Sequence, residues 1–469
     1  MSRAKELAKN TLILSIGSFL PKLMALITVP IITGQLTRTE YGTYDLVCIL
    51  VSLLLPVTTL QIQSAAFRFL IDCRKDQEEI KKVITNIYVF IIPVSLITLL
   101  FLYFFLSKVD YVTRVLITVY FFIDCLFLAT QQIVRGLSNN KLFSMSSILK
   151  SAAYMLFIIL FVYFADQGLN GVLLSSVLAN TVGLSLLLVY GRILKKIDFS
   201  AISFQEIRNM LGYSWPMIPN TLSNWVLSAS DRFVLTAFWG IEAVAIYGVA
   251  NKIPNLINTV KGSFVFAWQE NASLALLDEG VEKYYSDMFD RIYCIVAGAM
   301  GMLIGTTPIL FTTLIRGDYS DSYSQMPVLF MGVFFSVLSS FLGGIYVAHK
   351  RTKNVGITTM IAAVCNLIID LALVNRIGIY AASVSTLVSY ALLAAYRMKD
   401  VKRFQAITYR NAKIGITLLC LSGMCVICWI NSQALNVINF IVGSLFAVIL
   451  NKSLWHQFGK QCLKKVRKG

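Results

Sequence analysis

An all-α polytopic membrane protein is the fold class this sequence predicts: about fourteen transmembrane helices, as two pseudo-symmetric six-helix lobes plus a C-terminal helix pair. Three observations predict it. Apolar runs of roughly twenty residues recur along the chain, each long enough to cross a ~30 Å hydrocarbon core as a helix. Lys and Arg collect in alternate loops. Two stretches in the first half of the chain are echoed, in the same order, in the second half.

Of the 469 residues, 57% are hydrophobic and 14% charged, with a mean hydropathy of +0.72. Soluble domains run nearer 45–50% apolar and about 25% charged. The net charge of +17 is not spread as a nucleic-acid surface would be. It gathers at Arg3, Lys5 and Lys9; at Arg74, Lys75, Lys81 and Lys82; at Arg192, Lys195 and Lys196; at Lys350, Arg351 and Lys353; from Arg397 to Lys413; and in the tail at Lys460, Lys464, Lys465, Arg467 and Lys468. The intervening loops carry single charges such as Arg38, Lys108, Arg316 and Arg376. That asymmetry places both termini in the cytoplasm, with the basic tail against an anionic leaflet.

The first six helices are expected near 11–34, 42–71, 81–106, 111–135, 142–165 and 168–191. The first has the charge order of a signal peptide, but its apolar stretch is too long and no small-residue cleavage site follows, so it reads as an uncleaved helix. A more polar connector, RILKKIDFSAISFQEIR, fills 192–208. Eight more helices follow near 208–230, 240–270, 287–315, 323–349, 354–374, 377–397, 412–431 and 434–451. The expected divisions are an N-terminal lobe over 1–197, a C-terminal lobe over 198–400, and the helix pair with its basic cytoplasmic tail over 401–469. The loops are too short to hold a soluble catalytic domain, which disfavours an enzyme. Two histidines, His349 and His456, make no metal cluster with the cysteines, and Cys425 and Cys428 sit inside an apolar run as small packing residues.

The echo is specific. ITGQLTRTEYGTYDLV (32–47) corresponds to LTAFWGIEAVAIYGVA (235–250), with Tyr44 opposite Tyr247, 203 residues apart. GLNGVLLSSVLAN (168–180) corresponds to GIYAASVSTLVSY (378–390), with Gly168 opposite Gly378, 210 residues apart. Transporters are often built from such repeats.

Polar residues inside apolar spans supply the candidate site. A charge at the bilayer centre costs at least ~2.5 kcal/mol, so such charges face protein or a wet cavity. In the seventh span Pro216, Asn220, Asn224, Ser228 and Asp231 fall three or four residues apart and should share a face. Gln61, Ala65 and Arg68 do so in the second span, Asp124, Gln131 and Arg135 in the fourth, and Tyr247, Asn251, Asn255 and Asn258 in the eighth, flanked by Lys252 and Lys261. Asn366 and Asp370 stack one turn apart in the eleventh. Lys22 follows Pro21 near the middle of helix one, and Lys150 lies in the inner half of helix five. Interhelical hydrogen bonding would explain each stripe alone. The surplus of Lys and Arg at membrane depth over carboxylates nearby in sequence instead calls for an anion such as a phosphate or acidic sugar.

Two segments, LAKNTLILSIGSFLPKLMALITVPIITGQLTRTEYGTYDL (7–46) and YSWPMIPNTLSNWVLSASDRFVLTAFWGIEAVAIYGVANKI (213–253), resemble the polysaccharide-transporter branch of the multidrug/oligosaccharidyl-lipid/polysaccharide exporter superfamily. The resemblance extends along the whole chain in helix count and two-lobed layout. It implies two six-helix lobes around a central cationic cavity in the bacterial inner membrane. An undecaprenyl-pyrophosphate-linked oligosaccharide, of O-antigen or capsule type, would cross there by alternating access coupled to a proton or sodium gradient, with no other cofactor. Carried onto this sequence, the implied substrate contacts are Lys22, Arg68, Lys150, Lys252 and Lys261 for pyrophosphate, and Asn220, Asn224, Asn251 and Asn255 for sugar hydroxyls. Asp124, Asp231 and Asp370 are the implied ion-coupling residues. Besides the lipid-linked glycan and the bilayer, other polysaccharide assembly proteins are implied partners, and nucleic acid is not.

Three rivals differ in recognisable ways. A drug/cation antiporter of the same superfamily would need a net acidic cavity. A membrane polysaccharide polymerase or ligase would carry a large external loop with catalytic Arg or His. A non-transporting scaffold would not need a polar interior. The arginine-rich cavity of lipid II flippases is not evident in the sequence.

Overall fold

The computed structural model describes residues 3–74, 76–276 and 279–452, with their side chains except those of residues 3–15, Asn220, Ser263 and Phe266. The side chains of the first basic cluster, Lys75, the candidate Asn220, and the whole basic tail lie outside the described residues. Two compact units emerge, Met1–Trp225 and Val226–Gly469.

The first unit contains α1 (Arg3–Gln35), α2 (Arg38–Thr58), α3 (Ile62–Asp72), α4 (Gln77–Phe105), α5 (Tyr111–Gly136), α6 (Asn140–Phe157), α7 (Gly168–Tyr190) and α8 (Phe204–Ser214), and α9 (Ile218–Ala229) straddles the boundary. The second unit contains α10 (Asp231–Trp239), α11 (Ile241–Ala250), α12 (Lys252–Ala275), α13 (Val281–Leu314), α14 (Ser320–Ala348), α15 (Thr352–Ile377), α16 (Tyr380–Val401), α17 (Asn411–Ile430) and α18 (Gln433–Leu450). Among the described residues all long elements are helices, and eleven are long and apolar enough to cross a membrane. The protein is a multi-pass membrane protein. Three of the fourteen expected spans fall outside the eleven: the seventh and eighth, and α16 with its Arg397, Lys399 and Asp400.

The expected span 42–71 is two helices. Leu60 and Gln61 adopt left-handed φ of 45° and 60° between α2 and α3, a conformation that costs a residue with a Cβ roughly 1–2 kcal/mol. The turn is held by the Ser214 hydroxyl, which donates to the Leu60 carbonyl at 2.8 Å. The expected span 208–230 is likewise broken, into α8, a 3₁₀ turn at Trp215–Met217 and α9, because Pro216 and Pro219 remove backbone donors. Gly240, at φ +80°, turns α10 into α11. Asn251 then separates α11 from α12.

The connector packs on α4 rather than trailing in solvent. Asn86 accepts from the Ser203 amide at 2.8 Å and donates to the Ala201 carbonyl at 3.0 Å, while the Thr85 hydroxyl accepts from the Asp198 amide at 2.9 Å. The Ser200 hydroxyl and amide hold the Asp198 carboxyl below its ordinary pKa.

In the first unit Ile62, Ala66 and Leu70 of α3, Ile84 and Ile87 of α4, and Ile133 of α5 form a buried core. The second unit is organised around α14, whose apolar window is 89% buried, against 11% for α18. Close backbone approach docks α18 on α13: a Cβ on Gly443 would stand 2.5 Å from the Gly301 carbonyl oxygen. Small residues at such crossings let helices touch where the solvent is lipid.

The sequence echo has a three-dimensional counterpart. Gly168 and Gly378 take φ of +51° and +61° at the entries to α7 and α16. In the first unit Glu40 accepts from the Leu169 amide at 3.2 Å. In the second, Trp239 donates to the Val374 carbonyl at 3.0 Å and covers Gly378. Each early echo thus closes on its own unit's late echo.

Candidate functional site

The structure places Lys150 at a polar cavity in the first unit and Asp231, Asn366 and Asp370 in a buried polar cluster in the second. In the first unit a cavity of about 150 Å³ is lined by Pro21, Tyr44, Tyr120, Lys150, Tyr154 and Asn180, among others. Lys150 projects from α6 to within 3.4 Å of Asp124 Oδ1 on α5 and lies 4.4 Å over the Phe127 ring. The Tyr44 and Tyr154 hydroxyls are 3.1 Å apart. Asn180 is 1% exposed, and its Oδ1 has no partner among the described residues. Lys150 keeps 29% of its side chain exposed, so the pair presents an ammonium with donors to spare beside an idle amide acceptor. Such a set can take an anionic oxygen or a hydroxyl. Asp124, expected to act in ion coupling, is the counter-ion of Lys150.

The second unit holds a buried carboxylate cluster. Asp231, at the start of α10, is 1% exposed. Its Oδ2 accepts from the Tyr247 hydroxyl on α11 at 2.6 Å and from the Thr386 hydroxyl on α16 at 2.9 Å. With its nitrogen turned toward Asp231, the Asn366 amide donates to Oδ1 at 3.1 Å and accepts from the Thr386 amide at 3.2 Å. Arg232 is also buried, donating to the Ser228 carbonyl at 3.3 Å and lying 5.2 Å from the Tyr247 ring. Asp370, one helical turn beyond Asn366, is 0% exposed, and neither carboxylate oxygen has a hydrogen-bond partner among the described residues. A buried, unsatisfied carboxylate is costly unless a proton or cation joins it. Asp231 and Asp370, with the Thr386 hydroxyl, offer hard oxygen donors for one.

Lys261 on α12 donates to the Ser336 hydroxyl on α14 at 2.6 Å and lies 5.8 Å from the Tyr390 ring. Tyr390 is one turn beyond Thr386 on α16, so Lys261 and the carboxylate cluster share that helix.

Other candidates lie outside these two clusters. Lys22 is exposed. Arg68 is exposed too, and it forms an ion pair with Asp72 one turn along α3, so this cation has its anion close in sequence. The stripe of the seventh span does not run on one face: Pro216, Asn224 and Ser228 are exposed, whereas Asp231 begins a new helix and turns inward. The eighth-span stripe crosses the break at Asn251, which is buried and donates to the Tyr247 carbonyl at 3.1 Å. Lys252 is half-buried and Asn255 exposed.

Sequence reading missed Thr386, Tyr120, Tyr154 and Asn180. Thr386 and Asn180 lie inside the echoed segments 378–390 and 168–180, a signal that could have raised them. No comparable signal marks the two tyrosines.

Comparison with known proteins agrees with this architecture. The polysaccharide biosynthesis protein family matches residues 7–268. An uncharacterized membrane protein of Methanocaldococcus jannaschii is 22% identical in a 339-residue alignment that covers 67% of this chain and 64% of that protein. The chain thus spans slightly under two thirds of that relative's length. Among solved structures, the lipid II flippase MurJ in an inward closed conformation aligns with a TM-score of 0.68 at 15% identity, over 95% of this chain and 99% of that one. The Vibrio cholerae MATE transporter VcmN aligns with a TM-score of 0.60 at 11% identity, over 85% and 97% of the two chains. A transporter of the same superfamily from Pyrococcus furiosus gives 0.57 at 12%, over 84% and 95%. At these identities the likeness is one of fold. With more than half its length matched by the family, the chain belongs to the polysaccharide biosynthesis protein family.

Proposed function

We propose that this protein is a flippase that carries an undecaprenyl-pyrophosphate-linked oligosaccharide repeat unit, of O-antigen or capsule type, across the bacterial inner membrane. Transport runs by alternating access and draws on a proton or sodium gradient, with both termini cytoplasmic. The observation that carries this reading is the division of charge between the units. The first offers a half-exposed lysine with an unused amide acceptor, Lys150 and Asn180. The second encloses two carboxylates, one of them without a partner among the described residues. The lysine suits an anionic, hydroxyl-rich cargo. The enclosed carboxylates suit a coupling cation, which Asp231, Asp370 and Thr386 would hold. Membership in a polysaccharide biosynthesis family and the fold shared with a lipid II flippase support the cargo class.

The test is complementation in a host lacking this gene, with wild type, Lys150→Gln and Asp370→Asn expressed at matched levels. Surface polysaccharide should be restored by wild type only, with lipid-linked repeat units accumulating at the inner leaflet for both variants. Normal glycan together with accumulation of toxic cations would overturn this reading in favour of a cation antiporter. Repeat units that reach the outer face but stay unpolymerised would overturn it in favour of a polymerase.

A further inference from the structure

A groove of about 290 Å³ runs between α15 and α16, lined by Thr358, Ile361, Cys365, Ser389, Leu392 and Tyr396, among others. Its mouth is rimmed by exposed apolar side chains. Ile361, Leu392 and Tyr396 are 56%, 54% and 54% exposed, and the adjoining Met360, Val364 and Ile368 are also exposed. The Ser389 hydroxyl is buried at its wall without a partner among the described residues.

The groove leads to positive charge. On α15 its residues Cys365, Ile361 and Thr358 continue in helical register to Asn354, and Arg351 caps the N-terminus of that helix. On α16 Ser389, Leu392 and Tyr396 continue to Lys399. Arg351 and Lys399 are both exposed. Arg351 stacks on the Phe404 ring at 4.3 Å, which leaves its in-plane donors for other partners. The nearby carboxylate, Asp400, accepts from the Tyr346 hydroxyl at 2.7 Å and pairs with Arg403 at 3.4 Å.

We infer that this groove holds one acyl chain of an anionic glycerophospholipid whose phosphate rests on Arg351 and Lys399. Charge complementarity selects this occupant. A lipid tail is already in hydrocarbon, so an apolar groove gives it shape but little hydrophobic gain. Preference must come from the headgroup, and basic side chains at the end of a spanning helix attract anionic lipid. A zwitterionic lipid would make little use of the two cations. A soluble anion would leave the groove unfilled.

Native mass spectrometry of the full-length protein, titrated with phosphatidylglycerol or phosphatidylcholine of the same acyl chains, tests this. Phosphatidylglycerol adducts should persist at higher collision energy. Their affinity should fall roughly fivefold for Arg351→Gln and again for Lys399→Gln. Leu392→Trp, which fills the groove from an exposed position, should remove the adduct without lowering thermal stability. Equal binding of the two lipids, or charge variants that bind as wild type does, would overturn the inference. Stoichiometric displacement of phosphatidylglycerol by a polyprenyl phosphate would also overturn it, because the groove would then belong to the cargo's tail.

Discussion

The Tyr247 hydroxyl donates to Asp231 Oδ2 across 2.6 Å of fully buried space. Tyr247 belongs to the first echoed stretch of the second half, and Thr386, which donates to the same oxygen at 2.9 Å, belongs to the second. The carboxylate is therefore fixed from two helices that the internal repeat brings together. Removing one donor from a buried charge costs about 1–3 kcal/mol. Tyr247→Phe should lower stability by that amount. In the Asp231→Asn background the same change should cost clearly less, a difference readable in a double-mutant thermal unfolding cycle.

Asp370 makes the opposite prediction. Its carboxylate oxygens have no hydrogen-bond partner among the described residues, so Asp370→Asn should leave unfolding in salt-free buffer unchanged or shift it upward. What should vanish is stabilisation by the coupling cation. A cation at a hundred times its Kd stabilises by about 2.7 kcal/mol. Melting curves with and without sodium, and across pH at constant ionic strength, would measure that loss. A sodium- or proton-linked shift that survives in Asp370→Asn would place the cation elsewhere.

Lys150 and Asp124 should behave as a pair. Lys150→Met leaves Asp124 buried without its cation, and Asp124→Leu strands the ammonium, so each alone should cost about 2 kcal/mol or more. The double variant should recover most of that loss while transport stays abolished. Thermal unfolding together with a lipid-linked glycan transport assay in proteoliposomes separates the two effects.

Arg397 is 3% exposed and donates to the Ser339 and Val355 carbonyls at 2.8 and 3.1 Å, and to the Thr358 and Thr359 hydroxyls at 2.8 and 3.0 Å. A planar fork with five donors suits that cage, and a single ammonium does not. Arg397→Lys should therefore destabilise by about 2–4 kcal/mol. Comparable melting of Lys and Arg at this position would show that charge alone, rather than fork geometry, ties α16 to α14 and α15.

Much of the fold was legible. Helix identity followed from apolar length, and the repeat from the paired Tyr44/Tyr247 and Gly168/Gly378 echoes. The helix breaks were harder to read. Pro216 and Pro219 announce one, but Leu60 and Gln61 are ordinary residues in left-handed conformation, and the Leu60 carbonyl is met by Ser214, 154 residues away. For the site, Asp231, Asn366 and Asp370 were recognisable as polar residues that lipid would reject, and the structure brings all three together. The cations were less legible, because sequence shows that a lysine lies at membrane depth but not whether it points inward. Lys150 and Lys261 reach polar partners on neighbouring helices, while Lys22 is exposed and Arg68 pairs with Asp72 on its own helix.

By itself, the sequence determined the helical class, the membrane as solvent and the two-fold echo, because these depend on apolar length and local periodicity. Tertiary structure decided which polar groups share a pocket. A helix face is set by spacing of three and four residues, but a pocket needs side chains from three or four helices. The separation of 155 positions between Asp231 and Thr386 leaves no trace of their 2.9 Å hydrogen bond in any local pattern.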